Sequence, residues 1–213
     1  MINKLKTPSF AEEEILEAKG YQRIAGVDEV GRGSLAGPVV AAAIIVPCHT
    51  KARWFPQVKD SKLLNPFKRE LLFNYIQEVA LAIGIGIASH EVIDNQGIIK
   101  ATQLAMKLAI EQILPPPESL LIDYVYLPEV SLPQKGIKDG DSLCFSIACA
   151  SIVAKVTRDR LMVELDRAYP GYGLAQHKGY GTREHLSCLQ RLGPSPIHRQ
   201  SFQPIKNIIQ QGK

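Results

Sequence analysis

The sequence predicts an α/β protein of three layers, with helices on both faces of a central mixed five-stranded sheet and a further helical segment towards the C-terminus. Three observations carry this expectation. Short apolar runs rich in β-branched residues or alanine recur along the chain, longer stretches with apolar residues every three or four positions alternate with them, and only a glycine-rich turn separates the first two runs. At 213 residues, 46% hydrophobic and 22% charged, the chain is long enough for one sizeable core. One domain over 1–213 is expected, with 169–213 forming a loop and helical extension.

Ile24 to Val30 and Val39 to Val46 read as the two strands of a hairpin. Asp28 and Glu29 fall on the first of them. Successive strand residues face opposite sides, so these carboxylates converge only where the strand ends or bulges. Asp60 to Ala80 reads as a helix, with Ser61 as its cap and Leu72, Ile76 and Val79 on one face. Ala80 to His90 alternates as a third strand, and 91–114 carries Ile98, Ala101, Ala105, Leu108 and Ile113 on one side of a second long helix. Pro115 to Pro117 end that helix. Leu120 to Leu127 then reads as a strand with Asp123 inside it, and a short strand is expected within 130–137. Ser142 to Ala168 places Leu143, Ile147, Ala150, Ala154, Leu161 and Leu165 along one face of a long buried helix. Tyr169 to Gly181, rich in Gly and Tyr, reads as a loop before a helix over 182–192.

Composition excludes some classes of function. The longest apolar run, Gly37 to Pro47, is far short of the roughly 20 residues that span a bilayer. The opening stretch has no apolar centre of the signal-peptide kind, so a cytoplasmic protein without membrane association is expected. Cys48, Cys144, Cys149 and Cys188 show no CxxC spacing and read as reduced packing residues. The net charge of +4 is too small to prove nucleic-acid binding, but its distribution permits it: from Lys178 onward there are six Lys or Arg against the single acid Glu184.

The chemistry concentrates in AGVDEVGRGSLAGPVV. An ionised carboxylate at the edge of a buried strand costs several kcal/mol unless a cation or donor compensates it. A divalent ion is one such compensation. Gly31 and Gly33 on either side of Arg32 let the backbone approach another molecule, with a guanidinium at hand for a phosphate. Asp123 and Asp141 are two further candidate acids. Hard ions such as Mg²⁺ and Mn²⁺ take oxygen ligands and keep waters, which suits phosphodiester hydrolysis by two ions sharing carboxylates and a substrate phosphate. His177, His185 and His198 are not at zinc spacing. Plainer readings stand beside these: Asp141 as a helix cap, Lys62 as decoration of a helix start, Tyr180 as a surface aromatic, and Asp159, which competes with Asp141 as the fourth acid, as the ion-pair partner of Lys155 four positions earlier.

The chain resembles bacterial ribonuclease HII. The resemblance lies in GVDEVGRG (26–33), LAGPVVAAAI (35–44), DSK (60–62), ASIVAKVTRDR (150–160), HKGYGT (177–182) and GPSPIHRQSF (193–202), in family order and over nearly the whole chain. It implies a ribonuclease H-like fold in which Asp28, Glu29, Asp123 and Asp141 bind the catalytic Mn²⁺ or Mg²⁺. Gly31, Arg32 and Gly33 would grasp the ribonucleotide 2′-hydroxyl and a neighbouring phosphate, Tyr180 would stack on the following deoxyribose, and Lys62 would lie near the scissile phosphate. The implied activity is endonucleolytic, on RNA:DNA hybrids and at ribonucleotides embedded in duplex DNA, by a monomer. Two departures stand out: Tyr124 where the family usually has glycine, which adds bulk beside the metal site, and Ser34 where it has proline, which is expected to loosen a turn. A lone GRG is weak, and its place directly after the paired acids makes it specific. The rival readings are another nuclease of the same fold acting on DNA without ribonucleotides, and a binding module without turnover.

Overall fold

The computed structural model describes residues 7–211. Residues 1–6, 212 and 213 lie outside it, and with them Lys213 of the basic C-terminal group. In chain order the elements are α1 (Ala11–Glu17), β1 (Ile24–Val30), β2 (Val39–Ile45), α2 (Pro66–Val79), β3 (Ala82–Ala88), α3 (His90–Gln96), α4 (Ile98–Glu111), β4 (Ser119–Asp123), β5 (Gln134–Ile137), α5 (Gly140–Leu143), α6 (Phe145–Ala168), α7 (Leu174–His177), α8 (Arg183–Leu192) and α9 (Ile205–Gln211). The five strands form one mixed sheet in the order β3-β2-β1-β4-β5, antiparallel across β3, β2 and β1 and parallel across β1, β4 and β5.

Side-chain alternation divides the core into two layers. Ala41, Ala43 and Ile45 of β2 pack with Ala101, Ala105 and Ala109 of α4 on one face. Ala42 and Ile44 pack with Leu72 and Ile76 of α2 and with Ala148 and Ile152 of α6 on the other. The first half of α6 is buried on nearly every side, and its small residues Ala148, Cys149, Ala150 and Ser151 let it lie close on β1. Gly26 completes that approach, since a Cβ there would run into the backbone of Ser146 and Ile147. A third cluster joins Leu35 and Ala36 to Met162, Leu174, Leu189 and Ile205, so the C-terminal segments pack directly behind the Gly31–Gly37 turn.

The structure corrects several element boundaries. The expected 60–80 helix is a 3₁₀ turn over Ser61–Leu63 followed by α2; Asp60 and Asn65 cap them with their side chains, while Ser61 is buried. The long 91–114 helix breaks at Gly97, whose φ of +82° ends α3. The Ser142–Ala168 helix breaks at Cys144, which is extended. Its N-terminus is satisfied from a distant part of the sequence, where the buried Glu13 of α1 accepts the Ser146 N–H at 2.8 Å. β4 stops at Asp123, so this acid ends the strand instead of lying inside it. Cys144 and Cys149 are buried and free, whereas Cys48 and Cys188 are free but only half-buried. Among the described residues no helix is long and apolar enough to cross a membrane.

Candidate active site

β1 and β4 run parallel with Val27 beside Ile122, so one further step along the register sets Asp28 beside Asp123 at the carboxyl edge of the sheet. Alternation sends both towards α6, since Ala25, Val27, Leu120 and Ile122 face the other layer. β1 pairs regularly with β2 through Val30, without the bulge that would have turned Glu29 to the same side. Glu29 leaves from the opposite face. Because β4 ends at Asp123, no strand screens that edge, and the Glu29 carboxyl still feels Asp123 and Lys62 across it.

Asp141 joins from the first turn of α5, which is held to β4 by the Gly140 N–H donating to Asp123 Oδ1 at 2.8 Å. It is not the cap: Asp139 occupies that position, and no side chain caps the turn. Lys62 reaches in from the 3₁₀ turn, with Nζ 3.8 Å from Asp141 Oδ2. The site therefore gathers all four predicted carboxylates and Lys62, with Asp60 as a fifth acid that sequence reasoning had not singled out. The available signal was its place in DSK, two residues before Lys62.

The electrostatics explain why the place is demanding. Burial, and then the charges of Glu29 and Asp123, push the Asp28 carboxyl well above the usual carboxylate range; it is only 5% exposed. Burial raises Glu29 as well, opposed by Arg32, whose Nη1 lies 3.4 Å from Oε1. Glu29 Oε2 is buried and has no hydrogen-bond partner among the described residues. Burial lifts Asp123 against the pull of the Gly140 N–H, and burial with Asp60 and Asp123 lifts Asp141 to about 6. For Lys62, burial works against the charge, but Asp60, Asp141, Asp28 and Asp123 outweigh it and hold the ammonium above its ordinary range. The edge carries an excess of negative charge that one lysine and one arginine do not cancel. Among the described residues no three acidic, histidine or cysteine side chains close around an ion by themselves. The orphaned Glu29 oxygen and the mutually destabilised carboxylates nevertheless suit a hard divalent ion that takes one or two carboxylates and keeps its waters.

The glycine-rich turn and Tyr180 meet beside this edge. Ser34 forms a β-bridge with Tyr180, and the Leu35 N–H donates to the Gly179 carbonyl at 2.8 Å. Gly31 has φ +96°, and a Cβ there would strike the Arg158 side chain. Gly33 faces open space: among the described residues, no atom lies within 4 Å of where its Cβ would stand. The Ser34 N–H closes the turn onto Gly31 O at 3.3 Å, a bond that proline could not make, so this serine does not loosen the turn as its sequence position suggested. Tyr124 adopts φ +57°, the region glycine enters freely, and its ring is 73% exposed, directed to solvent.

Two buried arginines fix this arrangement. Arg158 donates to the carbonyls of Ala36, Pro38 and Lys178, and Arg199 to those of Gly31, Arg32 and Gly37. Both are fully buried, and neither forms an ion pair with a carboxylate among the described residues. Arg199, grouped by sequence with the phosphate-tracking C-terminal cations, is therefore not available to a ligand. A signal existed for Arg158, which continues the apolar face Ala150, Ala154 at the next helical step. Lys155 and Asp159 form the expected ion pair at 2.7 Å. The histidines that spacing left apart do come together. His177 and His185 stack with centroids 4.2 Å apart, and His185 Nε2 lies 3.0 Å from His198 Nε2. Burial holds His185 low, and burial with His185 brings His198 down to about 4; the His198–His185 contact continues to the Tyr180 carbonyl, 3.0 Å from His185 Nδ1.

A mixed five-stranded sheet with acids gathered at its carboxyl edge is the architecture of the ribonuclease H-type nucleases. The ribonuclease H2 of Pyrococcus horikoshii OT3 superposes with a TM-score of 0.75 at 23% identity, covering 89% of this chain and 98% of that one. Bst-RNase HIII in complex with Mn²⁺ does so at 0.66 and 18% identity, covering 99% and 72%. In sequence, the family profile described as Ribonuclease HII matches residues 25–205. A ribonuclease HII of Dehalococcoides mccartyi (strain ATCC BAA-2100 / JCM 16839 / KCTC 5957 / BAV1) is 57% identical over 202 residues, 95% of each chain. The chain belongs to the ribonuclease HII family and is an endonuclease of ribonuclease H type II.

Proposed function

We propose that the protein hydrolyses the RNA strand of RNA:DNA hybrids and incises on the 5′ side of single ribonucleotides in duplex DNA, leaving 3′-hydroxyl and 5′-phosphate ends. The observation that carries this reading is the gathering of Asp28, Glu29, Asp123 and Asp141 at one sheet edge directly beside the Gly31–Gly33 turn and Tyr180. Divalent ions bound there, Mg²⁺ or Mn²⁺, supply a water of lowered pKa and neutralise charge on the leaving oxygen. Asp28, Glu29, Asp123 and Asp141 hold those ions; ionising these crowded acids is unfavourable in their absence, which favours the loaded state. Lys62 faces the same edge with an ammonium kept fully charged by its acidic neighbours, and it holds the scissile phosphate.

Sugar recognition is assigned to the turn. Open space at Gly33 admits a ribose to backbone contact, where polar groups donate to and accept from a 2′-hydroxyl that DNA lacks. Arg32 carries its guanidinium half-exposed beside Glu29, in position to turn towards a phosphate, and Tyr180 offers a ring face to the next sugar. The catalytic unit acts as a cytoplasmic monomer. The test is Asp123→Asn: the folded variant keeps its affinity for a one-ribonucleotide duplex in chelator and gives no product with Mg²⁺ or Mn²⁺. Product formed by the folded variant at the wild-type rate would overturn the assignment.

A further inference from the structure

A cleft of about 500 Å³ opens on the far side of Tyr180, between α2, α6 and the loop carrying α7. Its walls include Arg69, Lys155 and Lys178. Among the described residues, the one carboxylate ion-paired with these cations is Asp159, at 2.7 Å from Lys155 Nζ and 3.7 Å from Arg69 Nη2, while Arg69 also donates to the carbonyls of Ser61 and Leu64 and Lys178 Nζ to that of Ala175. The remaining charged pair in the lining, Arg160 with Glu70 at 2.5 Å, cancels itself. A surplus of two positive charges therefore stays in a recess where the Lys155 and Arg69 side chains are only 14% and 11% exposed. Cations so placed repel one another and lose hydration, a cost that an anion with several acceptor oxygens reverses.

Two features direct this recess towards nucleic acid. Tyr180 forms part of its lining while its backbone bridges Ser34 of the glycine turn, so a strand whose sugar rests on that ring continues into the cleft. Lys178 is held at φ +54°, a conformation costly for a side-chain-bearing residue, by the buried Arg158, which donates to its carbonyl at 2.8 Å. Burial draws the Lys178 ammonium below its ordinary range, and Lys155 and Arg69 add to this against the opposing pull of Asp159 and Asp166.

We propose that this cleft is a subsite for a backbone phosphate of the nucleic acid, bound by Lys155 and Lys178 with Arg69 behind them, one step past the sugar that Tyr180 covers. The inference rests on the reading of Tyr180 given above. It extends substrate contact from the glycine turn onto the middle of α6, from Lys155 to Val163, and the α7 loop, and makes α6 the element that links the carboxylate edge to the phosphate grip.

The experiment is a scan in which single neutral methylphosphonates replace each phosphate of a one-ribonucleotide duplex, on both strands. Affinities are measured in chelator for wild type and Lys178→Asn, asparagine being tolerant of positive φ. Lys155→Gln is the second variant, should the first fold poorly. At one position the replacement weakens wild-type binding by about two- to fivefold, as expected for one partly exposed charge pair, and costs the variant nothing further. A variant that keeps the wild-type loss at every position overturns the subsite; if such a variant still cuts 5′ of the ribonucleotide, the reading of the active site stands without it. A flat scan with stabilisation of the wild type alone by inorganic phosphate assigns the cleft to a free anion and overturns the proposal as well. Failure of the wild type to bind any ribonucleotide duplex removes both.

Discussion

Arg199 Nη2 donates to the carbonyl oxygen of Gly31 at 2.7 Å, across 168 residues of sequence. The same guanidinium holds Arg32 and Gly37, so the conformation of the glycine turn depends on a residue near the C-terminus. Lysine preserves the charge but not the planar fork. Arg199→Lys should lower stability by on the order of 3 kcal/mol, because buried carbonyls lose their donors, and should cut kcat/KM on a one-ribonucleotide duplex by at least about tenfold. Affinity for an all-DNA duplex, measured well below Tm, should change little. Equal losses in both quantities would show that Arg199 supports the fold and does not set the turn for sugar recognition.

Gly31 and Gly33 should separate cleanly. Gly31→Ala combines a strained φ with a collision against Arg158 and should cost ~2 kcal/mol or more. Gly33→Ala meets nothing and should leave stability within about 0.5 kcal/mol of wild type while reducing junction cleavage. Thermal melts alongside kcat/KM decide it; a Gly33→Ala enzyme with undiminished cleavage would remove backbone contact at that position.

Asp28→Asn should raise the Tm of the metal-free protein while abolishing turnover. Its folded carboxyl titrates above its unfolded one, so ionisation works against the folded state and an uncharged isostere relieves it. The same sign holds for Asp141, lifted from 3.8 to about 6: its contribution to stability is full below the unfolded value and is lost as pH rises through about 6. Added Mn²⁺ or Mg²⁺ should raise the wild-type Tm and have a smaller effect on Asp28→Asn. A metal-free variant less stable than the wild type at pH 7 would contradict this electrostatic picture.

His198 titrates in the opposite sense over much of the same range. Held at about 4 in the fold against 6.5 when unfolded, it favours folding above about pH 6.5 and loses that contribution as pH falls towards 4. Asp141→Asn should therefore steepen the loss of stability on acidification, since it removes the compensating term. Melts of both proteins from pH 7 to 4 check this, and parallel curves would refute it.

Much of this was legible in the sequence, for reasons that mark the limit of such reading. The strands and the two-sided burial of β2 follow from apolar runs, and Asp28, Glu29 and Asp123 stand out because acids are costly at strand ends. The helix breaks at Gly97 and Cys144 were not legible, since the apolar periodicity continues through both. Capping of α6 by Glu13, burial of Arg199 and assembly of the three histidines depend on contacts between segments far apart in the chain, for which local pattern holds no signal. Arg199 is the instructive case: counted among surface cations by its neighbours in sequence, it lies at the centre of the turn it organises.

Tyr124 stands at φ +57° and is largely exposed, so Tyr124→Gly removes strain without opening a cavity. Stability should be unchanged or rise by up to about 1 kcal/mol, the relief being partly offset by the greater freedom of the unfolded glycine chain. A loss of more than that in a denaturant titration would mean that the tyrosine ring makes a contact the fold depends on.

The most direct test uses end-labelled duplexes of one sequence carrying no ribonucleotide or one, each incubated with the wild-type protein and Mg²⁺, Mn²⁺ or chelator. A cut immediately 5′ of the ribonucleotide, present only with metal and absent from the all-DNA duplex, is the predicted result. Cleavage of the all-DNA duplex at a comparable rate, or cleavage that survives the chelator, would contradict it.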